Sequence, residues 1–328
     1  MDRAINQGQG SVFRRLLLRW YGKNQRKLPW RGESDPYRIL VSEIMLQQTR
    51  VAVVEERYRM FIRQFPTAKA LARSREQTVL AAWSGLGYYR RARALHRAAR
   101  EIVRQGAFPR SADSLAELPG VGRYTAAAVG SIAFGEPVAV VDGNVKRVLD
   151  RVFHVESMPE ARFSQEQYWD LAGQLLDKRR AGDFNQAMME LGALVCLPDQ
   201  PLCRKCPVAK MCSARGPIAG KERTARRKAV LHYALVRRDP AVLLQKRPME
   251  ESLMPGMWEL PSLNGELNAG NEPLLKLRHS ITTTDYTVMV HAVARKSVAG
   301  CRWVRLDSAK RLPLTGLTRK ILGRISDV

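Results

Sequence analysis

The sequence predicts a mainly α-helical domain followed by a smaller α+β domain. Three observations carry that expectation. Helical periodicity recurs along residues 1–215 without alternating strands, which argues against a doubly wound sheet. A basic stretch over residues 216–228 contains Gly216, Pro217 and Gly220, has no hydrophobic period, and reads as a linker. Beyond it, residues 229–328 carry short β-branched runs, at 230–236, 241–245 and 286–294. A length of 328 residues suits about two domains, each burying its own core.

The first clear helix start is Asp35-Pro36, with Asp as N-cap and Pro at the first helical position. The helix runs on from Arg38 through Leu46. Residues 92–103 form an Ala-, Leu- and Arg-rich segment. Arg90, Arg93, Arg97 and Arg100 share one of its faces, as solvated surface or as a rail for phosphates. Periodicity returns over 112–117, 124–133, 165–178 and 185–195. No internal repeat is evident.

Composition excludes several classes. A hydrophobic content of 45% is too high for a disordered chain. The longest uncharged stretch, residues 77–89, falls short of the roughly 20 apolar residues a membrane span needs. The first ten residues hold no signal-peptide core, so a cytoplasmic protein is expected. The formal net charge is +24, with 35 basic against 21 acidic residues up to Arg215 and 20 against 10 after it. Such an excess points to a polyanion, most often nucleic acid, facing both domains.

Four segments carry chemistry. Leu118-Pro119-Gly120-Val121-Gly122 joins two helical stretches, and its glycines permit a tight turn with outward N–H groups at a helix N-terminus. Such a turn can hold a phosphate; alone, it is as readily a plain connection. The apolar run 138–141 ends in Asp142-Gly143-Asn144, a candidate site carboxylate that also suits a helix N-cap. Glu43 lies among Leu40, Val41, Ile44 and Met45, where desolvation would favour its protonated form. Cys196, Cys203, Cys206 and Cys212 follow the spacing C-x6-C-x2-C-x5-C. Zinc usually takes two C-x2-C pairs or a Cys/His mixture, so a 4Fe–4S cluster is favoured and zinc is the alternative. Cys301 stands apart and reads as a small buried hydrophobe.

Together LPGVGRYTAAA and VDGNVKRV resemble the helix-hairpin-helix DNA glycosylases of the endonuclease III superfamily, whose iron–sulfur loop has this cysteine spacing. Within it, residues 28–51, LPWRGESDPYRILVSEIMLQQTRV, resemble the MutY-type adenine DNA glycosylases. Residues 255–261, PGMWELP, resemble the Nudix-like domain those enzymes add. The resemblance implies a glycosylase domain at 1–215, the linker 216–228, and a lesion-recognition domain at 229–328. It implies excision of adenine opposite 8-oxoguanine or guanine in double-stranded DNA, by a monomer in the cytoplasm at the nucleoid.

Residue roles follow from the same resemblance. Glu43 would protonate the base, Asp142 would stabilise the sugar cation, and Tyr124 and Asn144 would orient sugar and water. Trp30, Arg31 and Gln186 would line the adenine pocket. Gln48, Thr49, Leu86 and Tyr88 would fill the gap and contact the opposite base, with core packing the alternative for Leu86 and Tyr88. Gly120 and Gly122 would meet the backbone, with a monovalent or divalent cation at the hairpin. His279 and Thr282 would face the lesion, although the usual Phe-Ser-His triplet is replaced by Ile281-Thr282-Thr283. Tyr124 stands where strand-cutting relatives carry a Schiff-base lysine, so base removal without lyase activity is expected. No Nudix hydrolase motif is present. The alternatives are an endonuclease III-like glycosylase/lyase for oxidised pyrimidines, and a non-catalytic iron–sulfur DNA-binding protein.

Overall fold

The computed structural model describes residues 7–153, 163–216, 225–251, 253–263, 272–281, 283–294, 300–309 and 311–325. Among these, eleven α-helices precede the first strand: α1 (Gln7–Asn24), α2 (Pro36–Leu46), α3 (Val51–Gln64), α4 (Ala68–Arg73), α5 (Glu76–Ala82), α6 (Arg90–Gln105), α7 (Ala112–Ala116), α8 (Arg123–Phe134), α9 (Gly143–Val152), α10 (Gln165–Leu175) and α11 (Ala181–Leu194), followed by two 3-10 turns at Cys203–Lys205 and Ala209–Met211. Then come β1 (Arg227–Leu235), β2 (Arg237–Arg238), β3 (Ala241–Lys246), β4 (Trp258–Glu259), β5 (Leu275–Ile281), β6 (Thr284–Ala292), β7 (Cys301–Arg305), α12 (Leu306–Ala309) and α13 (Gly316–Ile325). The fold class is the expected one, mainly helical with a smaller α+β part. No described helix is long and apolar enough to cross a membrane. The chain divides into two compact units, residues 1–72 with 97–221, and residues 73–96 with 222–328.

In the first unit, α11 packs on α1, α8 and α9, and α2 packs on α8. Phe13 and Leu17 of α1, Leu149 of α9, Leu175 of α10 and Phe184 and Leu191 of α11 are buried in one cluster. Burying each such side chain stabilises the fold by about 1.5–3 kcal/mol. The start of α2 is as the sequence implies: Asp35 Oδ1 accepts from Tyr37 N at 2.9 Å, and Pro36 opens the helix. Helix α9 starts earlier than the apolar run beginning at Val145, because Asp142 caps it and Gly143 is its first residue.

The second unit holds two small sheets. In one, β6 lies between β1, parallel to it, and β5, antiparallel to it. In the other, β3 pairs antiparallel with β2, β4 and β7. Tyr233, Val242, Leu244, Val288 and Val290 of the strands meet Leu317 and Ile321 of α13 in one core. The arginine face of α6 is not uniformly free: Arg93 is paired with Glu76 at 2.9 Å, and Arg100 donates to Ala72 O at 3.3 Å.

Candidate active site

Glu43 projects from the middle of α2 and is 6% exposed. Its Oε2 accepts a hydrogen bond from the Tyr124 hydroxyl at 2.9 Å, and that hydroxyl also lies 3.0 Å from Met189 Sδ. Tyr124 sits one residue into α8, just after the hairpin, which is how two positions 81 residues apart meet. Burial is the largest influence on the Glu43 carboxyl and raises its pKa; the charge of Asp142 adds to this, while Tyr124 and Arg31 oppose it. Burial, Glu43 and Asp142 likewise hold the Tyr124 phenol far above its ordinary range, so it stays a neutral donor.

Asp142 is pinned by both oxygens. Oδ1 accepts from Val145 N at 2.7 Å as the N-cap of α9, and Oδ2 accepts from Asn144 Nδ2 at 3.0 Å. Asn144 Oδ1 in turn accepts from Arg147 Nη2 at 2.7 Å, whose Nε donates to Cys196 O at 2.7 Å. Gly192 of α11 lets the helices approach: a Cβ there would lie 2.6 Å from Asn144 Cβ and 3.0 Å from Asn144 O.

A second cluster flanks the first. Arg31 Nη1 donates to Gln186 Oε1, and its Nη2 donates to Glu190 Oε2 at 2.9 Å. Glu190 is fully buried and also accepts from Arg26 N, Nε and Nη2 at 2.9, 2.8 and 2.8 Å. Burial alone would raise the Glu190 pKa, but the Arg26 hydrogen bonds and the Arg31 charge outweigh it and lower it. Trp30 is buried with its ring edge-on to Tyr58 at 5.4 Å. The structure thus brings Arg31 electrostatically close to Glu43 and Tyr124 and joins it directly to Gln186. Glu190, Arg26, Met189 and Arg147 escaped the sequence reading. Glu190 left one signal, an acid in the apolar second half of α11 four residues after Gln186, hence on the same face.

In the hairpin, Gly120 takes a left-handed φ of 79° and Val121 N donates to Leu118 O at 3.0 Å. Gly122 caps α8 with no side chain, and a Cβ there would meet nothing within 4 Å. The backbone at the start of α8 is therefore open to an anion.

Cys196, Cys203, Cys206 and Cys212 are free thiols lining one cavity, beside Arg151, Leu191 and Val208. Arg151 Nη1 lies 3.3 Å from Cys196 Sγ and donates to Leu197 O at 2.6 Å. Burial pushes the Cys206 thiol up to about 11 and raises that of Cys212. Among the described residues no three ligating groups converge on a point that would hold a single ion. Four thiols lining one cavity fit a cluster with several metal atoms, which would bind them as thiolates.

The remaining expected residues fall in both units. Gln48 is exposed with φ 55°, and the Thr49 hydroxyl donates to Gln47 O at 3.3 Å. In the second unit, Leu86 is 4% exposed, whereas Tyr88 is 39% exposed with φ 46°. His279 lies on β5, its pKa lowered by burial and by Lys320. Thr282 lies outside the described residues.

The HhH-GPD superfamily base excision DNA repair protein family matches residues 41–174. Adenine DNA glycosylase of Homo sapiens is 48% identical over 216 residues, 62% of this chain and 40% of the human protein. That of Arabidopsis thaliana is 39% identical over 311 residues, 80% of this chain and 49% of the plant protein. The chain thus spans about half the length of the curated relatives it matches. Among solved structures, a thermostable thymine-DNA glycosylase is similar at a TM-score of 0.58 and 33% identity, covering 62% of this chain and 95% of that one.

Proposed function

The chain belongs to the HhH-GPD superfamily of base excision DNA repair proteins, related within it to the adenine DNA glycosylases, and from that premise we propose that it removes adenine from opposite 8-oxoguanine or guanine in duplex DNA. The observation that carries the reading is the buried Glu43–Tyr124 pair at 2.9 Å within the field of Asp142. A purely DNA-binding protein needs no buried Glu43 within the field of Asp142.

The base leaves the stack and enters the pocket. Gln186, its oxygen engaged by Arg31, turns its amide N–H groups to the adenine edge, and Trp30 bounds the pocket. Glu43 holds its proton because it is buried, and delivers it to N7 of adenine. The C1′–N9 bond breaks with its electrons moving into the base, which departs neutral. The sugar becomes oxocarbenium-like, and the anion of Asp142 stabilises it, the two-carboxylate division of labour of glycoside hydrolysis. Water adds to C1′ and gives its proton to the Glu43 carboxylate, restoring the acid. Tyr124 donates to Glu43 and cannot form an imine, so no strand cleavage is expected. A DNA phosphate sits on the Gly120–Gly122 hairpin, which would also hold any cation that supplies positive charge beside that phosphate. The enzyme acts as a monomer.

Cys196, Cys203, Cys206 and Cys212 would hold a 4Fe–4S cluster that stiffens a loop bearing Arg204, Lys205 and Lys210. Brown protein absorbing near about 400 nm supports the cluster; a colourless zinc protein removes it. The decisive assay offers duplexes with adenine opposite 8-oxoguanine, adenine opposite guanine, and thymine glycol. Release of adenine without a borohydride-trapped adduct is expected. Thymine glycol excision with trapping would instead establish the pyrimidine glycosylase/lyase alternative.

A further inference from the structure

Residues 83–93 and the segment around PGMWELP are joined in a way the chemistry above does not use. Both lie in the second unit. The loop at Gly85–Tyr88 has three left-handed residues, Gly85, Gly87 and Tyr88, with φ of 95°, 68° and 46°. Arg91 holds it from beneath. Its Nη2 donates to Leu86 O at 3.0 Å and Gly87 O at 3.2 Å, and its guanidinium lies over the Trp83 and Tyr88 rings at 5.6 and 5.3 Å. Trp83 Nε1 adds a bond to Gly87 O at 3.1 Å. The loop is therefore a braced projection with an exposed aromatic at its tip.

Tyr89 immediately precedes α6, and Arg93 in its first turn donates its backbone N–H to Tyr89 O at 3.1 Å. Both side chains are fastened elsewhere. The Tyr89 hydroxyl donates to Leu314 O at 3.3 Å, and Arg93 Nη2 donates to Pro255 O at 2.6 Å while its Nε is paired with Glu76 at 2.9 Å. The two anchors are themselves tied through one residue: Trp258 N donates to Pro313 O at 2.9 Å, and Thr315 N donates to Trp258 O at 2.9 Å. Gly256 is left-handed at φ 69°, with the position of a Cβ only 3.6 Å from Arg93 Nη2. A displacement of the β4 edge would be passed to α6, and through Arg91 to the loop.

We propose that Tyr89 and Arg93 are positioning residues that transmit the identity of the base opposite adenine, read by the C-terminal domain, to the Leu86–Tyr88 wedge. The proposal rests on the function given above, together with the roles that the sequence resemblance implies for residues 229–328 and for Leu86 and Tyr88, at the DNA around the opposite base. Arg93 touches no reacting atom, and its effect is on selectivity.

The test is single-turnover adenine release from duplexes with adenine opposite 8-oxoguanine or guanine, for the full chain and for Arg93→Ala, Arg93→Lys and Tyr89→Phe. In Arg93→Ala the rate ratio between the two duplexes should fall by about 5- to 150-fold, the usual span of coupling between sites. The rate opposite guanine should stay within about twofold, as for an uncoupled change. Arg93→Lys, which keeps the charge facing Glu76, should restore part of the ratio. An unchanged ratio, or equal loss on both duplexes, would overturn the proposal, since a merely structural role lowers both. Should Arg93→Ala not fold, Tyr89→Phe decides: a reduced ratio supports coupling and an unchanged one refutes it. A wild-type protein that releases adenine equally from both duplexes removes the opposite-base reading itself, before any variant is measured.

Discussion

Replacing Glu43 with glutamine should separate catalysis from stability, moving them in opposite directions. The amide keeps the shape and can still accept from the Tyr124 hydroxyl, which lies 2.9 Å from Oε2. It has no proton to give. Loss of a general acid lowers the chemical step by about 10²–10⁴-fold, or roughly 3–5 kcal/mol in the barrier. Stability should rise at neutral pH. The folded carboxyl has a raised pKa, chiefly through burial. The folded state therefore binds the proton more tightly than the unfolded chain. Between the unfolded value, about 4.3, and the folded one, wild-type stability falls by about 1.4 kcal/mol per pH unit, and above the folded value the deficit is constant. Glutamine carries no such deficit. Its advantage should be absent below the unfolded pKa, grow through that window, and then level off. The assays are single-turnover adenine release, duplex affinity, and urea unfolding at pH 4 and pH 8, below the unfolded pKa and well above it. Near-normal adenine release, or a variant whose relative stability is no greater at pH 8 than at pH 4, would refute the reasoning. The wild-type rate should also decline as pH rises through the Glu43 pKa.

Glu190→Gln should destabilise, because it leaves the partly exposed Arg26 and the more buried Arg31 facing a neutral amide: about 1–3 kcal/mol, or roughly 2–12 °C in melting temperature. The Glu190 carboxyl is held below its ordinary value despite burial, so its contribution is present above about pH 4.3 and lost as pH falls through the depressed folded value, which acid titration of melting temperature would register. Gly192→Ala pushes a Cβ against the Asn144 backbone, so about 1–3 kcal/mol of stability and much of the single-turnover rate should be lost while duplex affinity holds. With a net charge of +24, duplex affinity should fall by about 10³–10⁵ between roughly 50 and 200 mM salt if six to ten phosphates are contacted; a flat response measured by fluorescence anisotropy would contradict a backbone-dominated interface.

Local chemistry was legible where one residue type has one strong preference. Asp35-Pro36 announced α2, and the glycines of the hairpin announced the turn before α8. Helix α1 went unread although Phe13, Leu17 and Tyr21 recur at helical spacing, because arginines interrupt the apolar run. Strand β5 alternates exposed Lys276 and Arg278 with buried Leu277, a period of two, but with Ile281 as its one β-branched residue it lacks the composition of a strand. Glu43, Tyr124 and Asp142 were read individually as motif members. Their meeting is a tertiary fact, as is the Arg26–Glu190 pair across 164 residues. Sequence also could not rank Leu86 against Tyr88. One is buried and the other exposed because backbone dihedrals turn the chain between them.

Asp142 belongs to the framework rather than to a movable arm, since a helix start occupies one of its oxygens and a neighbouring amide the other. An acid so tethered cannot swing to follow its target. The whole adjustment then falls on the nucleic acid: the deoxyribose has to be carried to a fixed negative point, and a duplex too stiff to yield that sugar should be spared however well its surface is gripped.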